Sequence, residues 1–417
     1  MRLSLPPLGR RRDLVLCLLL AVVAALFRAP RLGVPDEEIF DEVYHAKTAL
    51  EYLNGQNPTE WVHPPTAKLL IAVPIYFLGY HAWAWRLAPA LAGIALIPVF
   101  FLLARRVLGN ERAALLASAL LLGDGVYLVQ SRIAMTNIFA ILFQLSAALF
   151  AVRAATAKTL RLLDMLGLGL ALGLALSTRW TSLWAWGFLG LVLLVSHGRR
   201  LLNLRSLGLL LLAFGVLPVV LYVASYIPWF AQGHALADLW PHQKAIWRYH
   251  ADLVATHPYF SKWYTWPWLY RPTWYHYKQT GDLVSGIVAI GNPALWWASV
   301  PVTLWALVTG LRVRDPRRLF TASGFLLMYL PWGISPRTLN YSHYLFEAIP
   351  YACLSLGLLL DRAWEGKARA WARGYLAVVV FLFVYFLPVL MGLPFPARWF
   401  FLDLGGFKPW TWFRTWV

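Results

Sequence analysis

Long apolar runs separated by short polar or basic turns recur along the whole chain. A membrane crossing needs about 20 largely apolar residues to cover a hydrocarbon core of about 30 Å. The pattern predicts spanning helices over 14–29, 86–104, 112–129, 136–152, 162–178, 181–196, 207–227, 293–311, 319–334, 343–360 and 374–392. No small-residue cleavage site follows Phe27, only Arg28-Ala29-Pro30-Arg31, so the first run reads as a retained span. One run is left out. Residues 69–80 (LLIAVPIYFLGY) are about half the length of a crossing and are interrupted by Pro74. They are expected to form a re-entrant or interfacial helix on the outer face.

Composition agrees with a polytopic all-α membrane protein. The 417 residues are 60% hydrophobic and only 13% charged, against about 25% charged in soluble domains. A net charge of +18 invites a nucleic-acid partner, but the positions of the charges argue otherwise. Short turns carry Arg2 and Arg10–Arg12; Arg105, Arg106 and Arg112; Arg153, Lys158 and Arg161; Arg199, Arg200 and Arg205; Arg312, Arg314, Arg317 and Arg318; and Arg362, Lys367, Arg369 and Arg373. These are about 21 of the 37 basic residues, and the positive-inside rule puts all of them in the cytoplasm. The clusters fall on one side only if 69–80 does not cross. The expected topology has about eleven spans, the N-terminus inside and the C-terminus outside, and nucleic acid is excluded as a partner. Cys17 and Cys353 both fall inside predicted spans and form no disulfide or metal pattern.

Three segments on the outer side are long enough to carry function: residues 30–85, residues 228–292 and the tail from about 393. The second is dense in Trp and Tyr, which suits either an interfacial belt or stacking on a sugar or peptide. The first holds Asp41-Glu42 at the start of a helical stripe (Val43, Ala46, Leu50, Leu53). A carboxylate there either caps the helix or does chemistry, and adjacent helical residues point about 100° apart, so the two cannot serve one atom equally. Asp41 and His45 are spaced as a metal pair, but two ligands are too few for a site. His63-Pro64-Pro65 with Lys68 forms either a rigid turn or the mouth of the re-entrant segment. Arg86, Arg132, Arg179 and Arg337 stand alone at outer span ends. They either snorkel or bind a lipid-linked phosphate, which guanidinium suits. Asn137 and Glu347, inside spans, are costly unless they face a cavity.

The ordered set FDEVYHAKTALEYLNG, HPPTAKLLIA, AWRLAPALAG, SRIAMTNIF, ALSTRW, HPYFSKWYTWPWLYRPTWYHY, GNPALWW and SPRTLNYSHYLFEAIPY resembles the dolichyl-phosphate-mannose–protein mannosyltransferases and their bacterial polyprenyl-phosphate relatives. The resemblance covers nearly the whole chain, 1–417, as one integral-membrane GT-C glycosyltransferase domain. It implies transfer of mannose from a polyprenyl-phosphate-mannose lipid to Ser/Thr hydroxyls of exported polypeptides, with inversion, on the outer face of a bacterial inner membrane. It casts Asp41 as catalytic base and Glu42 as its partner, and Arg179, Arg337, Arg132 and Arg86 as donor-phosphate ligands. His63, Lys68 and His343 would position the acceptor. No metal ligand and no cofactor is assigned, with a divalent metal left open. There are departures: His63-Pro64-Pro65-Thr66-Ala67-Lys68 replaces the family's His-Pro-Pro-Leu-Gly-Lys, and Asn137 stands where an aspartate is usual. The 228–292 loop is too short for a β-trefoil insert. The competing readings are a related transferase acting on lipid A or another lipid and, from a different class, a transporter. Sparse polar residues in the spans and one-sided loops weigh against transport.

Overall fold

The computed structural model describes residues 10–416; Arg2, assigned above to the cytoplasmic side, lies outside them. Helices appear wherever the apolar runs called for them. The first part of the chain forms α1 (Arg10–Arg28), α2 (Glu42–Leu53), α3 (Thr66–Leu78), α4 (Ala82–Leu108), α5 (Glu111–Leu122), α6 (Gly125–Gln130), α7 (Asn137–Thr156), α8 (Leu162–Leu176) and α9 (Ser182–His197). Then follow α10 (Leu204–Leu211) and α11 (Leu217–Ser225), joined by a π-helical turn, and the outer helices α12 (Ile227–Ala231) and α13 (Leu239–Ala251). The last long helices are α14 (Pro293–Val313), α15 (Pro316–Tyr329), α16 (Ile349–Glu365) and α17 (Arg369–Met391), with a short α18 (Ala397–Phe400) in the tail. Among the described residues five helices are long and apolar enough to cross a membrane: Ala82–Leu108, Asn137–Thr156, Leu204–Ser225, Pro293–Val313 and Arg369–Met391. The other expected crossings are shorter or broken.

The breaks have local causes. Between α4 and α5, Gly109 takes a φ of 69°, a left-handed C-cap that side chains avoid, and Asn110 then accepts the backbone N–H groups of Arg112 and Ala113. The run 112–129 is cut at Asp124, which is buried among its neighbours. Its carboxylate accepts from Tyr127 N at 3.2 Å, Asn292 N at 3.1 Å and Trp296 Nε1 at 2.7 Å. One side chain thus starts α6 and anchors the start of α14. A 3-10 turn at Ser342–Glu347 precedes α16.

The aromatic outer loop holds an element that the hydropathy pattern did not predict. Strands β1 (Thr273–Thr280) and β2 (Leu283–Ala289) pair antiparallel around Gly281-Asp282, with a register shift between Trp274 and His276. Gly281 supplies the positive φ of 57° that a two-residue hairpin turn requires. A short β3 (Phe395–Pro396) adds to β2, so the tail and the aromatic loop form one three-stranded sheet. The chain is therefore helical with a small outer sheet rather than purely helical. The hairpin matters because its first residues are buried near the start of α2, Tyr275 stacking on Phe40 and Thr273 lying beside His343.

Replacing Asp124 by Ala leaves three buried donors without an acceptor and is expected to cost about 2–4 kcal/mol. The measurement is thermal unfolding of the purified protein in detergent. An unchanged melting temperature would show that the break at 124 is not held by this carboxylate.

Candidate active site

Three of the seven acids in residues 30–85, Asp41, Glu42 and Glu60, have different surroundings. Glu42 opens α2 and is fully buried. It accepts from Arg86 Nε (2.8 Å) and Nη2 (2.7 Å), from Ile39 N (3.0 Å) and from Ala134 N (2.8 Å). Both of its oxygens are saturated. Arg86 in turn gives its remaining N–H groups to the carbonyls of Leu32, Pro35 and Glu37. Every donor of that guanidinium is thus spent on protein, so Arg86 braces Glu42 and offers no free N–H of its own.

Arg132 also turns most of its guanidinium onto the protein backbone. Its Nη1 donates to the carbonyls of Phe27, Arg28 and Pro30, and its Nη2 to that of Arg31. These are the orphan carbonyls at the end of α1 and just past it, and the guanidinium closes them off.

Asp41 is the acid left over. Phe40 before it holds a φ of 51°, uncommon for a bulky residue, and Asp41 occupies the N-cap position of α2 without any side-chain capping bond. The capping alternative is therefore not realised. The residue is half-buried, and the carboxyl is enclosed enough to raise its pKa to about 6. Desolvation by burial is the main cause, the negative charge of Glu60 adds to it, and Arg179 and Arg337 pull the other way. Aromatic rings wall the site: Phe40 stacks on Tyr275 at 4.1 Å, and Tyr341 lies parallel to His343 at 5.5 Å. His343 Nδ1 sits 3.3 Å from Thr273 Oγ1 at the base of the hairpin.

Glu60, which the motif reading passed over, organises the His-Pro-Pro turn. Lys68 Nζ is wholly buried and donates to Glu60 Oε2 (2.5 Å), to Glu60 O (2.8 Å) and to His63 O (2.8 Å). Its three protons are used, so Lys68 shapes the turn and has none free for a substrate. Burial alone would push the Glu60 carboxyl up, but Lys68 and His63 beside it hold it well below the usual range. His63 Nδ1 lies 2.6 Å from Glu60 Oε1. Burial lowers the His63 pKa to about 3, so the ring is neutral and Nε2 is its acceptor.

His63, Arg179 and Arg337 share the lining of a cavity of about 310 Å³. Its wall holds no carboxylate among the described residues. The Arg179 guanidinium stands 5.5 Å from the Tyr344 ring, and its buried Nε has no partner among the described residues. Arg337 donates to Leu339 O at 2.9 Å and to His250 Nδ1 at 2.6 Å. Because that nitrogen accepts, His250 must carry its proton on Nε2, which lies 2.9 Å from Val62 O. His250 thus ties Arg337 to the His63 loop. Sequence reading missed it, since a lone His on an amphipathic outer helix carries no motif. Thr66 closes the assembly, bonding Ser177 through both backbone N (3.1 Å) and Oγ1 (2.7 Å). That links the turn before α3 to the α8–α9 turn carrying Arg179. Glu347 accepts from Thr181 Oγ1 at 2.7 Å, and Asn137 donates to Gln130, which donates to Tyr275. Both serve as supports behind the site. No three His, Cys, Asp or Glu side chains converge as a metal site among the described residues.

A second cavity of about 820 Å³ shares Trp180, Leu183 and Trp247 with the first and runs between α9, α11 and α13. Its wall is mostly apolar, with Lys244 and Arg248 at the α13 side. A charged chamber joined to a long apolar groove in a helical membrane protein suits an anionic headgroup with a hydrocarbon tail.

That arrangement is the fold of membrane glycosyltransferases. The structure superposes on the Saccharomyces cerevisiae protein O-mannosyltransferase Pmt1-Pmt2 complex bound to the sugar donor with a TM-score of 0.81, at 14% identity over 95% of this chain and 92% of that one. It is also similar to ArnT from Cupriavidus metallidurans bound to undecaprenyl phosphate, with a TM-score of 0.59 at 19% identity over 91% and 76%. The model of the dolichyl-phosphate-mannose-protein mannosyltransferase family matches residues 18–233, and that of the C-terminal four TMM region of protein-O-mannosyltransferase matches 235–416. The chain belongs to this protein mannosyltransferase family. A polyprenol-phosphate-mannose–protein mannosyltransferase of Mycolicibacterium smegmatis is 28% identical over 93% of this chain and 91% of its own length.

The division of labour among the arginines is testable by stability. Arg86→Ala strands a buried carboxylate and should cost about 3–5 kcal/mol. Arg179→Ala removes no ion pair and should melt close to wild type. Equal losses in the two variants would contradict the assignment.

Proposed function

We propose that this protein transfers a mannosyl group from a polyprenyl-phosphate donor to the hydroxyl of a Ser or Thr in an exported polypeptide, with Asp41 as the base. The observation that carries the reading is the uncommitted Asp41 carboxyl. It lies under the charges of two arginines whose acid-free cavity opens onto an apolar groove. The relatives' named activity and the donor-bound structural neighbour support the substrate class. The site is assigned to the outer face of a bacterial inner membrane, on the charge distribution of the loops.

In the reaction the acceptor oxygen attacks the anomeric carbon as the bond from that carbon to the phosphate oxygen breaks. The configuration inverts, and the polyprenyl phosphate departs with the bonding pair. Arg179 and Arg337 are the groups placed to meet the charge growing on that phosphate. It is a weak base and needs no proton to leave, unlike the leaving group in glycosidases. The acceptor proton passes to Asp41 late, as the sugar gains oxocarbenium character. A carboxyl raised to about 6 is a better base at neutral pH than a free Asp near 3.9. His63 Nε2 is available to accept from a sugar or acceptor hydroxyl. The polyprenyl chain occupies the 820 Å³ groove.

A base works only when deprotonated, so kcat/KM should be lost as pH falls through about 6 and level off above it. Glu60→Gln removes a negative charge that raises Asp41, so its profile should bend at a lower pH than wild type. Rates flat between pH 5 and 8 would contradict Asp41 as the base. For the acceptor, one labelled polyprenyl-phosphate-mannose donor is offered to a Ser/Thr peptide and to lipid A in the same vesicles. Label on the peptide is expected; label on the lipid alone would replace this reading with a lipid-modifying one.

A further inference from the structure

At the opposite end of the bundle lies a second charged cavity that mannosyl transfer does not use. The α8 and α9 ends that flank Arg179 belong to the site above, and the other ends of these helices are about 22 Å away by helix rise. There the α7–α8 turn, the α9–α10 turn and the first turn of α10 line a cavity of about 260 Å³. Lys158, Arg200 and Arg205 project at its wall with Asn203 and Ser206. His197 Nε2 bonds Ala154 O at 3.0 Å and holds the two turns together.

Several cations at this end have acidic partners. Arg112 pairs with Asp361 at 2.6 Å and Glu365 at 2.5 Å, Arg153 with Asp164 at 2.8 Å, and Arg105 with Asp13 at 3.1 Å. Among the described residues no carboxylate lies within 4.0 Å of Lys158, Arg200 or Arg205, and none of their side chains makes a hydrogen bond. Lys158, Arg200 and Arg205 are exposed at the cavity and together give it a positive potential that favours an anion. The α10 N-terminus adds its partial positive charge, with Asn203 already capping Ser206 N at 3.0 Å.

Apolar surface continues from the cavity. Leu202 is 74% exposed and Leu204 89%, and Leu207 and Leu211 extend the stripe along α10, a helix that buries no side chain. A soluble anion has no use for that stripe, but an acyl chain does.

We propose that this cavity binds an anionic glycerophospholipid, its phosphate among Lys158, Arg200 and Arg205 and its acyl chains along α10. Basic pockets between membrane helices suit such headgroups. The site would hold a structural lipid, separate from the donor lipid by the length of α8.

The test is native mass spectrometry of the full-length protein in detergent with phosphatidylglycerol or phosphatidylcholine, with and without millimolar inorganic phosphate. Wild type is expected to retain phosphatidylglycerol preferentially, and inorganic phosphate should compete poorly. Each of Lys158→Gln, Arg200→Gln and Arg205→Gln should weaken retention by about fivefold, and the triple variant should lose the preference. Should the triple variant fail to fold, the single variants carry the test, and Arg200→Lys with Arg205→Lys, which keep the charge, should bind as wild type. Equal retention of both lipids by wild type, or undiminished phosphatidylglycerol preference in the Gln variants, would overturn the site. Complete displacement by inorganic phosphate would overturn the lipid assignment in favour of a free phosphate.

Discussion

The end of the bundle that carries Asp41 hangs on the buried ion pair between Glu42 and Arg86. Burying two charges is costly, and it is tolerated only where the geometry is good and the remaining hydrogen-bonding capacity is filled. Here it is filled on both sides: the carboxylate takes four donors, and the guanidinium collects three backbone carbonyls from the loop after α1. The pair therefore joins α2, α4, the α6–α7 turn and the irregular segment 29–41 at one point. Asp41 owes its place to that junction, because the residue next to it is clamped.

The other charges sort themselves around this anchor. Glu60 is kept ionised by Lys68 and His63, and its charge helps to lift Asp41 into a useful range. His63 and His250 stay neutral because burial penalises their charged forms. The positive potential of the cavity is then left to Arg179 and Arg337, the two arginines with donors to spare. Among the carboxylates between residues 41 and 60, Glu42, Glu51 and Glu60 are given donors by the protein. The Asp41 side chain is given none among the described residues, and that is what separates them.

Much of this was readable in the residues. Most apolar runs became helices, some of them broken as at Asp124, and the short interrupted run at 69–80 became α3, packed against α2 and α4. The Asp41, His63, Arg179 and Arg337 segments do converge. What was not readable depends on contacts distant in sequence. Nothing local shows that Arg86 and Arg132 give their donors to backbone carbonyls, since those carbonyls lie at the end of α1 and in the loop after it, far away in the chain. Asp124 looks like one polar residue in an apolar run until Asn292 and Trp296 are brought to it. The hairpin was hidden for another reason. The density of Trp and Tyr suggested an interfacial belt, although TWYHYKQT, Gly-Asp and LVSGIVA carry a strand-turn-strand signal.

The central claim is that adjacent acids are divided between chemistry and architecture. It is tested most directly by measuring both turnover and thermal unfolding for Asp41→Asn and Glu42→Gln. The account predicts that Asp41→Asn melts near wild type while transfer to a Ser/Thr peptide is lost. Glu42→Gln should melt lower, and whatever folded protein survives should still turn over. A fully active Asp41→Asn, or a Glu42→Gln that is stable and inactive, would contradict it.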